Sequence, residues 1–285
     1  MKINSVKLSD VTTYRFGGVC ENFIILDSEN DLPKLKNLLQ NKTNFVIGKG
    51  SNIAFSDRGF NGNVILPQFD QIETKNESEI IVGSGVFLPK LSRFFKANMI
   101  ANGEFLIGIP GTVGGAVKMN AGAYGWEFSD LVNSIRYFDL NSFEVQEIEK
   151  KDLNFSYRRA ENLDNKIILS AGLKIEQGDT KEINKLLSKY NKIRKDTQPP
   201  GIYNAGSVFK NTSQFYAGEL IEKAGLKGYD IDGVSVSEKH ANFFIAKKNA
   251  KASSLYKLVQ HVKESVLSKF GVDLEEEIIF VGEFE

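Results

Sequence analysis

The chain has 285 residues, with 36 Lys and Arg against 36 Asp and Glu, so no global field draws it to nucleic acid or to an anionic membrane. That length suits two or three lobes, with about three quarters of the unfolded surface buried on folding. One thiol, Cys20, excludes an internal disulfide. With only His240 and His261 beside it there is no Cys/His zinc site, and no metal is expected.

The opening MKINSVKLSD lacks the apolar core of a secretory leader, and no apolar run reaches membrane-spanning length, so a cytoplasmic location is expected. From Ser28 to Lys42 the leucines Leu32, Leu35, Leu38 and Leu39 share one helical face, with Ser28 and Asp31 in capping-box spacing. A short strand, Phe45 to Ile47, runs into Gly48-Lys49-Gly50-Ser51-Asn52. Strands follow at Asn63 to Leu66 and Glu79 to Val82, the second ending in Gly83-Ser84-Gly85. Leu88, Leu91, Phe94, Phe95 and Met99 have helical spacing. Two strand-to-glycine junctions are expected to turn backbone N–H groups outward, as suits a pyrophosphate.

The segment Gly108 to Gly125, GIPGTVGGAVKMNAGAYG, holds six glycines and no acidic residue. Glycine is costly to order and packs nothing, so a cluster set among Ile109, Val113, Val117, Met119 and Tyr124 reads as backbone in contact with a ligand rather than as a linker. Neither a GxxxxGK[ST] loop nor a strand-linked GxGxxG occurs, which argues against P-loop and Rossmann sites. Strands are then expected at Ser134 to Asp139, Glu144 to Ile148 and Ile167 to Ile175, and an amphipathic helix at Thr180 to Thr197, stopped by Gln198-Pro199-Pro200-Gly201. The main domain boundary is expected near that helix. Helices at Ala217 to Ala224 and Lys251 to Phe270 alternate with strands at Asn242 to Ala246 and Glu277 to Val281.

Four further segments set reactive side chains beside small residues: Phe155-Ser156-Tyr157-Arg158, Ala205-Gly206-Ser207-Val208-Phe209-Lys210-Asn211, Ser237-Glu238-Lys239-His240-Ala241-Asn242 and Leu274-Glu275-Glu276-Glu277-Ile278. Singly they read as a turn serine, a surface arginine and a strand-edge carboxylate. Together with the glycine loops and the opening Thr12-Thr13-Tyr14-Arg15-Phe16-Gly17-Gly18, they resemble the UDP-N-acetylenolpyruvoylglucosamine reductase family, from about Thr12 to Gly282. The GIPGTVGGAxxMNAGAYG and AGSVFKN strings are specific to it.

That resemblance implies an α+β fold: a two-part non-Rossmann FAD-binding lobe of the PCMH/vanillyl-alcohol-oxidase type, residues 1–66 and 67–178, followed by a smaller α+β substrate lobe, 179–285. It implies non-covalent FAD, bound by Gly48, Gly50, Ser51, Asn52, Gly83, Gly85, Pro110, Gly111, Thr112, Gly114, Gly115, Asn120, Ala121 and Gly122. NADPH is the implied co-substrate, used in the same cleft in ping-pong order, and UDP-N-acetylglucosamine enolpyruvate the substrate, met by Tyr157, Lys210, Asn211, Lys239 and Asn242. A monomer or weak oligomer is implied, with neither nucleic acid nor membrane as partner.

The implied catalytic set is Arg158, Ser207 and Glu277. Arg158 meets the substrate carboxylate with a directional fork, Ser207 delivers the proton, and Glu277 orients the arginine or the proton network. His240 reads as structural. Departures from the family pattern are Lys49 for a glycine, Ala160 for a serine, Tyr203-Asn204 for Pro-Ser and Thr212 for a proline; the chain resembles the shorter subtype, without an extra substrate-covering loop. Two alternatives stay open: another FAD-dependent oxidoreductase of the same fold, and a non-catalytic flavin or UDP-sugar binder. Gly48 to Asn52 lacks the His or Cys of covalent flavin attachment.

Overall fold

The computed structural model describes residues 1–201 and 203–284, an α+β chain that divides into two compact units. The first comprises Met1–Asn4, Asn22–Lys49 and Gly62–Arg194; the second comprises Ser5–Glu21, Gly50–Asn61 and Lys195–Glu285. The sequence places divisions after Leu66 and Gly178. Contacts instead keep the helix that starts at Thr180 with the first unit as far as Arg194, and group two N-terminal stretches with the C-terminal residues.

In the first unit, residues 22–26 run parallel to Asn63–Pro67, which pairs on its other side with Asn44–Val46. Helix α1 (Leu32–Leu39) lays Leu32, Leu35 and Leu39 on Ile24 and Ile65. It is shorter than its leucine spacing predicts. Ser28 Oγ accepts from Asn30 N and caps a 3-10 turn, while Asp31 is engaged by the N-terminal ammonium and Lys34 rather than closing a capping box.

An antiparallel sheet follows in the order Val145–Glu149, Val132–Asp139, Lys166–Lys174, Glu79–Gly83, Ile72–Asn76. Helices α2 (Leu88–Ala97) and α3 (Val113–Met119) bring Leu91, Phe95, Val113 and Val117 into one core with Ile80, Val82, Ile135 and Ala171. Helix α4 (Thr180–Thr197) spans the expected residues. Of the apolar face its spacing predicts, Ile183, Leu186, Leu187, Tyr190 and Ile193, it buries Ile183, Leu187 and Tyr190, packs the half-buried Leu186 against the core and leaves Ile193 exposed.

Glu104 opens a 3-10 turn in this unit and is 7% exposed. Burial pushes its carboxyl above the usual glutamate value, opposed in part by the N–H groups of Glu104 and Asn102. A raised folded-state pKa favours the neutral form. Its stabilising contribution is full below the unfolded-state pKa and is lost as pH rises through the folded one. Glu104→Gln is therefore expected to melt above the wild type on the alkaline side of that window and level with it on the acid side, in thermal scans from about pH 4 to about pH 8.

The second unit contains α5 (Ala217–Lys223), α6 (Ala252–Phe270) and an antiparallel sheet of Asp230–Ile231, Val234–Val236 and Phe244–Ala246. Gly271, at φ +70°, ends α6. Its start is capped from a distance by Asp57, whose carboxylate oxygens accept from Ala252 N and Ser253 N, each at 3.0 Å. The last strand, Ile279–Val281, pairs in parallel with Ile53–Phe55. The Thr12-to-Gly18 motif also belongs to this core. Tyr14 is fully buried, stacks on Phe16 at 5.0 Å and donates its hydroxyl to Phe244 O at 2.9 Å.

Candidate active site

In the first unit Gly48 meets the glycine cluster. A Cβ on Gly48 would stand 2.6 Å from Thr112 Oγ1, with Gly115 N at 4.0 Å, so a missing side chain lets the Gly48 loop lie against the start of α3. The backbone N–H groups of Gly48, Lys49, Gly50 and Ser51 have no acceptor among the described residues. Four successive unengaged donors suit an anion with several oxygens. Gly50 holds φ +64°, and a Cβ there would fall 2.4 Å from Val11 O.

The second expected phosphate turn is different. Gly83 N donates to Gln71 O at 2.9 Å, Ser84 N to Leu169 O at 2.9 Å and Gly85 N to Phe69 O at 2.8 Å. None of these donors is left for a ligand. A Cβ on Gly83 would stand 2.3 Å from Phe69 O, and one on Gly85 2.9 Å from Gln68 Cα. These glycines are required by protein backbone crossing close by. The turn also seats α3, because Gly114 N donates to Ser84 O at 2.8 Å and Val113 N to Val86 O at 2.9 Å. Within the Pro110 to Gly115 segment, Thr112 and Gly115 are thus the residues turned toward Gly48, while Gly111 O accepts from Leu88 N.

Asn120 was expected to touch the cofactor, yet it is fully buried in a left-handed conformation, φ +43°. Its Nδ2 donates to Glu127 Oε2 at 2.7 Å and Ser156 O at 3.1 Å, and its Oδ1 accepts from Ser129 N at 3.0 Å. The side chain therefore ties the end of α3 to the hairpin of Phe155–Ser156 and Arg159–Ala160. Ala121 is engaged through its backbone with Ala116 and Phe128. At the hairpin tip Arg158 adopts φ +60°, stacks its guanidinium 4.6 Å from the ring of the exposed Tyr157 and donates Nη2 to Gly122 O at 3.3 Å. A Cβ on Gly122 would come within 3.3 Å of Arg158 Nη1, so that glycine clears room for the guanidinium.

The second unit brings Ser207 and Glu277 onto adjoining segments. Gly206 turns the chain at φ +78°, and the half-buried Ser207 pairs with Phe243. One residue on, Val208 O accepts from Glu277 N at 2.7 Å, and Phe209 pairs with Glu276. Asn52 secures the same strand: its Nδ2 donates to Glu277 O at 2.8 Å and its own O accepts from Ile279 N at 3.0 Å. Expected on the flavin, Asn52 acts on the backbone of Glu277.

The residues expected on the sugar divide. Asn242 is 2% exposed; its Nδ2 donates to Phe209 O at 2.8 Å and its Oδ1 accepts from Phe209 N at 2.9 Å. It extends the AGSVFKN segment like a strand partner and is not turned to a ligand. Asn242→Ala is expected to cost about 1–3 kcal/mol in urea unfolding, because both Phe209 groups lose their partners. Asn211 Oδ1 accepts from Ala217 N at 3.0 Å, capping α5. Lys239 is exposed and donates to Lys195 O near the end of α4. Lys210 pairs with Glu275, whose carboxylate is largely exposed. His240 is half-buried, burial lowers its pKa, and its Nδ1 accepts from Asn242 N at 3.2 Å, in keeping with a structural role.

Two family models match the chain: "FAD binding domain" over residues 21–144 and "UDP-N-acetylenolpyruvoylglucosamine reductase, C-terminal domain" over residues 198–281. The UDP-N-acetylenolpyruvoylglucosamine reductase of Halalkalibacterium halodurans is 38% identical, over 97% of this chain and 93% of that protein. Its counterpart from Rickettsia prowazekii is 39% identical, over 97% of this chain and 94% of that protein. The crystal structure of the enzyme from Thermus caldophilus superposes with a TM-score of 0.87 at 29% identity, over 99% of this chain and 100% of the other.

Proposed function

Because the chain belongs to the UDP-N-acetylenolpyruvoylglucosamine reductase family, we propose that it reduces the enolpyruvyl ether of UDP-N-acetylglucosamine enolpyruvate to UDP-N-acetylmuramate with NADPH, a step of peptidoglycan synthesis. The observation that carries this reading is the Gly48 to Ser51 run of unengaged N–H groups, whose first residue, Gly48, lies against Thr112 inside the region that matches the FAD binding domain. Those residues fit FAD: unengaged donors suit its pyrophosphate, and bare glycine backbone allows a close approach. Bound there, FAD would supply the hydride-carrying chemistry between NADPH and the vinyl carbon.

The chain's own residues handle the charge and the proton. Arg158, already oriented by Gly122 O and the Tyr157 ring, offers a guanidinium fork to the substrate carboxylate as negative charge grows on the adjoining carbon. Ser207 gives its hydroxyl proton to that carbon and regains one from solvent. Glu277, held through its backbone by Asn52 and Val208, orients the proton network. Gly48, Lys49, Gly50 and Ser51 hold the pyrophosphate, and Lys210 attracts the sugar diphosphate. No described helix is long and apolar enough to cross a membrane, and the proposed setting is the cytoplasm, as a monomer or weak oligomer.

A stoichiometric assay tests the proposal. NADPH oxidation should require the enolpyruvyl sugar, consume equal amounts of both, and give a product heavier by one hydride and one proton. NADPH oxidation that ignores the sugar and yields hydrogen peroxide would make the chain an oxidase instead.

A further inference from the structure

Helix α4 carries a cation for which its own unit supplies no anion. Arg194 is half-buried and lies on the first residue of the glycine cluster: a Cβ on Gly108, at φ +76°, would stand 2.8 Å from Arg194 Cδ and 2.9 Å from Nε. Tyr124, near the other end of the cluster, meets the same side chain through its hydroxyl. That hydroxyl donates to Tyr190 O at 3.0 Å, and the Tyr124 ring stacks on Tyr190 at 4.0 Å and 3°. Burial pulls the guanidinium below the ordinary arginine value, and Tyr124 opposes this. Among the described residues no carboxylate pairs with Arg194.

A desolvated guanidinium with one neutral partner is an unbalanced charge. The carbonyls ending α4 offset part of it, since a cation in the last turn is favoured by the helix dipole. They do not explain why two points of a ligand-binding loop converge on its stem and head. The region that matches the FAD binding domain stops at residue 144, yet Arg194 is packed onto that region's glycine cluster. We propose that Arg194 is a cofactor-binding residue, donating to an anionic oxygen of FAD, and that the C-terminal part of α4 belongs to the flavin site. This rests on the flavin reading of the glycine loops. The oxygen belongs either to the pyrophosphate or to the C2 edge of the ring, which gains negative charge on reduction.

The test uses Arg194→Met, which keeps an apolar stem over Gly108, and Arg194→Lys, which keeps the charge without the fork. FAD is titrated into deflavinated protein at low and high salt, and the midpoint potential of each holoprotein is measured. With a pyrophosphate contact, Arg194→Met weakens oxidised FAD about tenfold or more and flattens the salt dependence, the potential staying near that of the wild type. With a ring contact, oxidised FAD binds within about twofold of wild type while the reduced form loses about tenfold, a potential about 30 mV more negative. In either case Arg194→Lys falls between wild type and Arg194→Met. Unchanged affinity and potential in Arg194→Met, with only a lower melting temperature, would overturn the proposal and leave Arg194 as packing for Tyr124. Failure of the wild-type protein to bind FAD would instead remove the flavin reading itself.

Discussion

Ser207→Ala should leave flavin reduction by NADPH within about twofold of wild type and slow reoxidation by the enolpyruvyl sugar about a hundredfold or more, the range a positioned proton donor contributes. The selectivity follows from where the hydroxyl sits. Backbone bonds carry this segment: Val208 N to Asn242 O at 2.9 Å, Glu277 N to Val208 O at 2.7 Å, and the reciprocal pair of Asn242 with Phe209. Removing Oγ breaks none of them, so the scaffold survives and only the proton is lost. Hydride delivery from NADPH needs no proton from Ser207. Rapid mixing of each half-reaction decides the matter, and equal slowing of both would assign Ser207 to cofactor geometry rather than proton transfer.

The largest expected loss of cofactor binding comes from Gly50→Val. Its φ of +64° is strained for a β-branched residue, and its Cβ would stand 2.4 Å from Val11 O and 2.9 Å from Thr12 Cα. Both obstacles are backbone, so the turn itself has to shift. Overpacking and strain of this kind cost about 2–3 kcal/mol, or about a hundredfold in FAD affinity where the displaced atoms are the binding donors. Lys49→Met keeps every N–H of the same turn and should weaken FAD by no more than about tenfold, the share of one charge-assisted contact. Titration of FAD into deflavinated proteins gives both numbers. A Gly50→Val protein that folds and binds FAD as tightly as wild type would take the Gly48 to Ser51 donors out of the site.

What could be read from the residues depended on how local the cause was. The span of α4 and nearly all of α6 follow from apolar spacing, from Pro199-Pro200 and from Gly271, all within a few turns of the helices they shape. The glycine cluster stands out by composition, and Arg158, Ser207 and Glu277 are proposed from surroundings that resemble the family's strings. Hydrogen-bond destinations were not legible, because they are set by partners far along the chain. Gly83-Ser84-Gly85 looks like Gly48 to Ser51 in sequence, but its donors reach Gln71, Leu169 and Phe69. Asn52, Asn120 and Asn242 carry the side chains that ligand contacts use, and each is engaged with other protein groups: Asn52 and Asn242 with backbone, Asn120 with Glu127 and with backbone. The grouping of residues 50–61 with the C-terminal ones rests on the pairing of Ile53–Phe55 with Ile279–Val281, and that of residues 5–21 on Tyr14 and Phe16 in the C-terminal core, neither of which a local pattern encodes. Asp57 capping α6 belongs to the same class of long-range effect.

A flavin reductase has two separable half-reactions. Anaerobic absorbance of the purified protein between about 350 and 500 nm, followed through addition of NADPH and then of UDP-N-acetylglucosamine enolpyruvate, tests for both most directly. A flavin band that bleaches with NADPH and returns only with the enolpyruvyl sugar is the expected result. No band after incubation with FAD, or a reduced band indifferent to the sugar, would rule out the reductase.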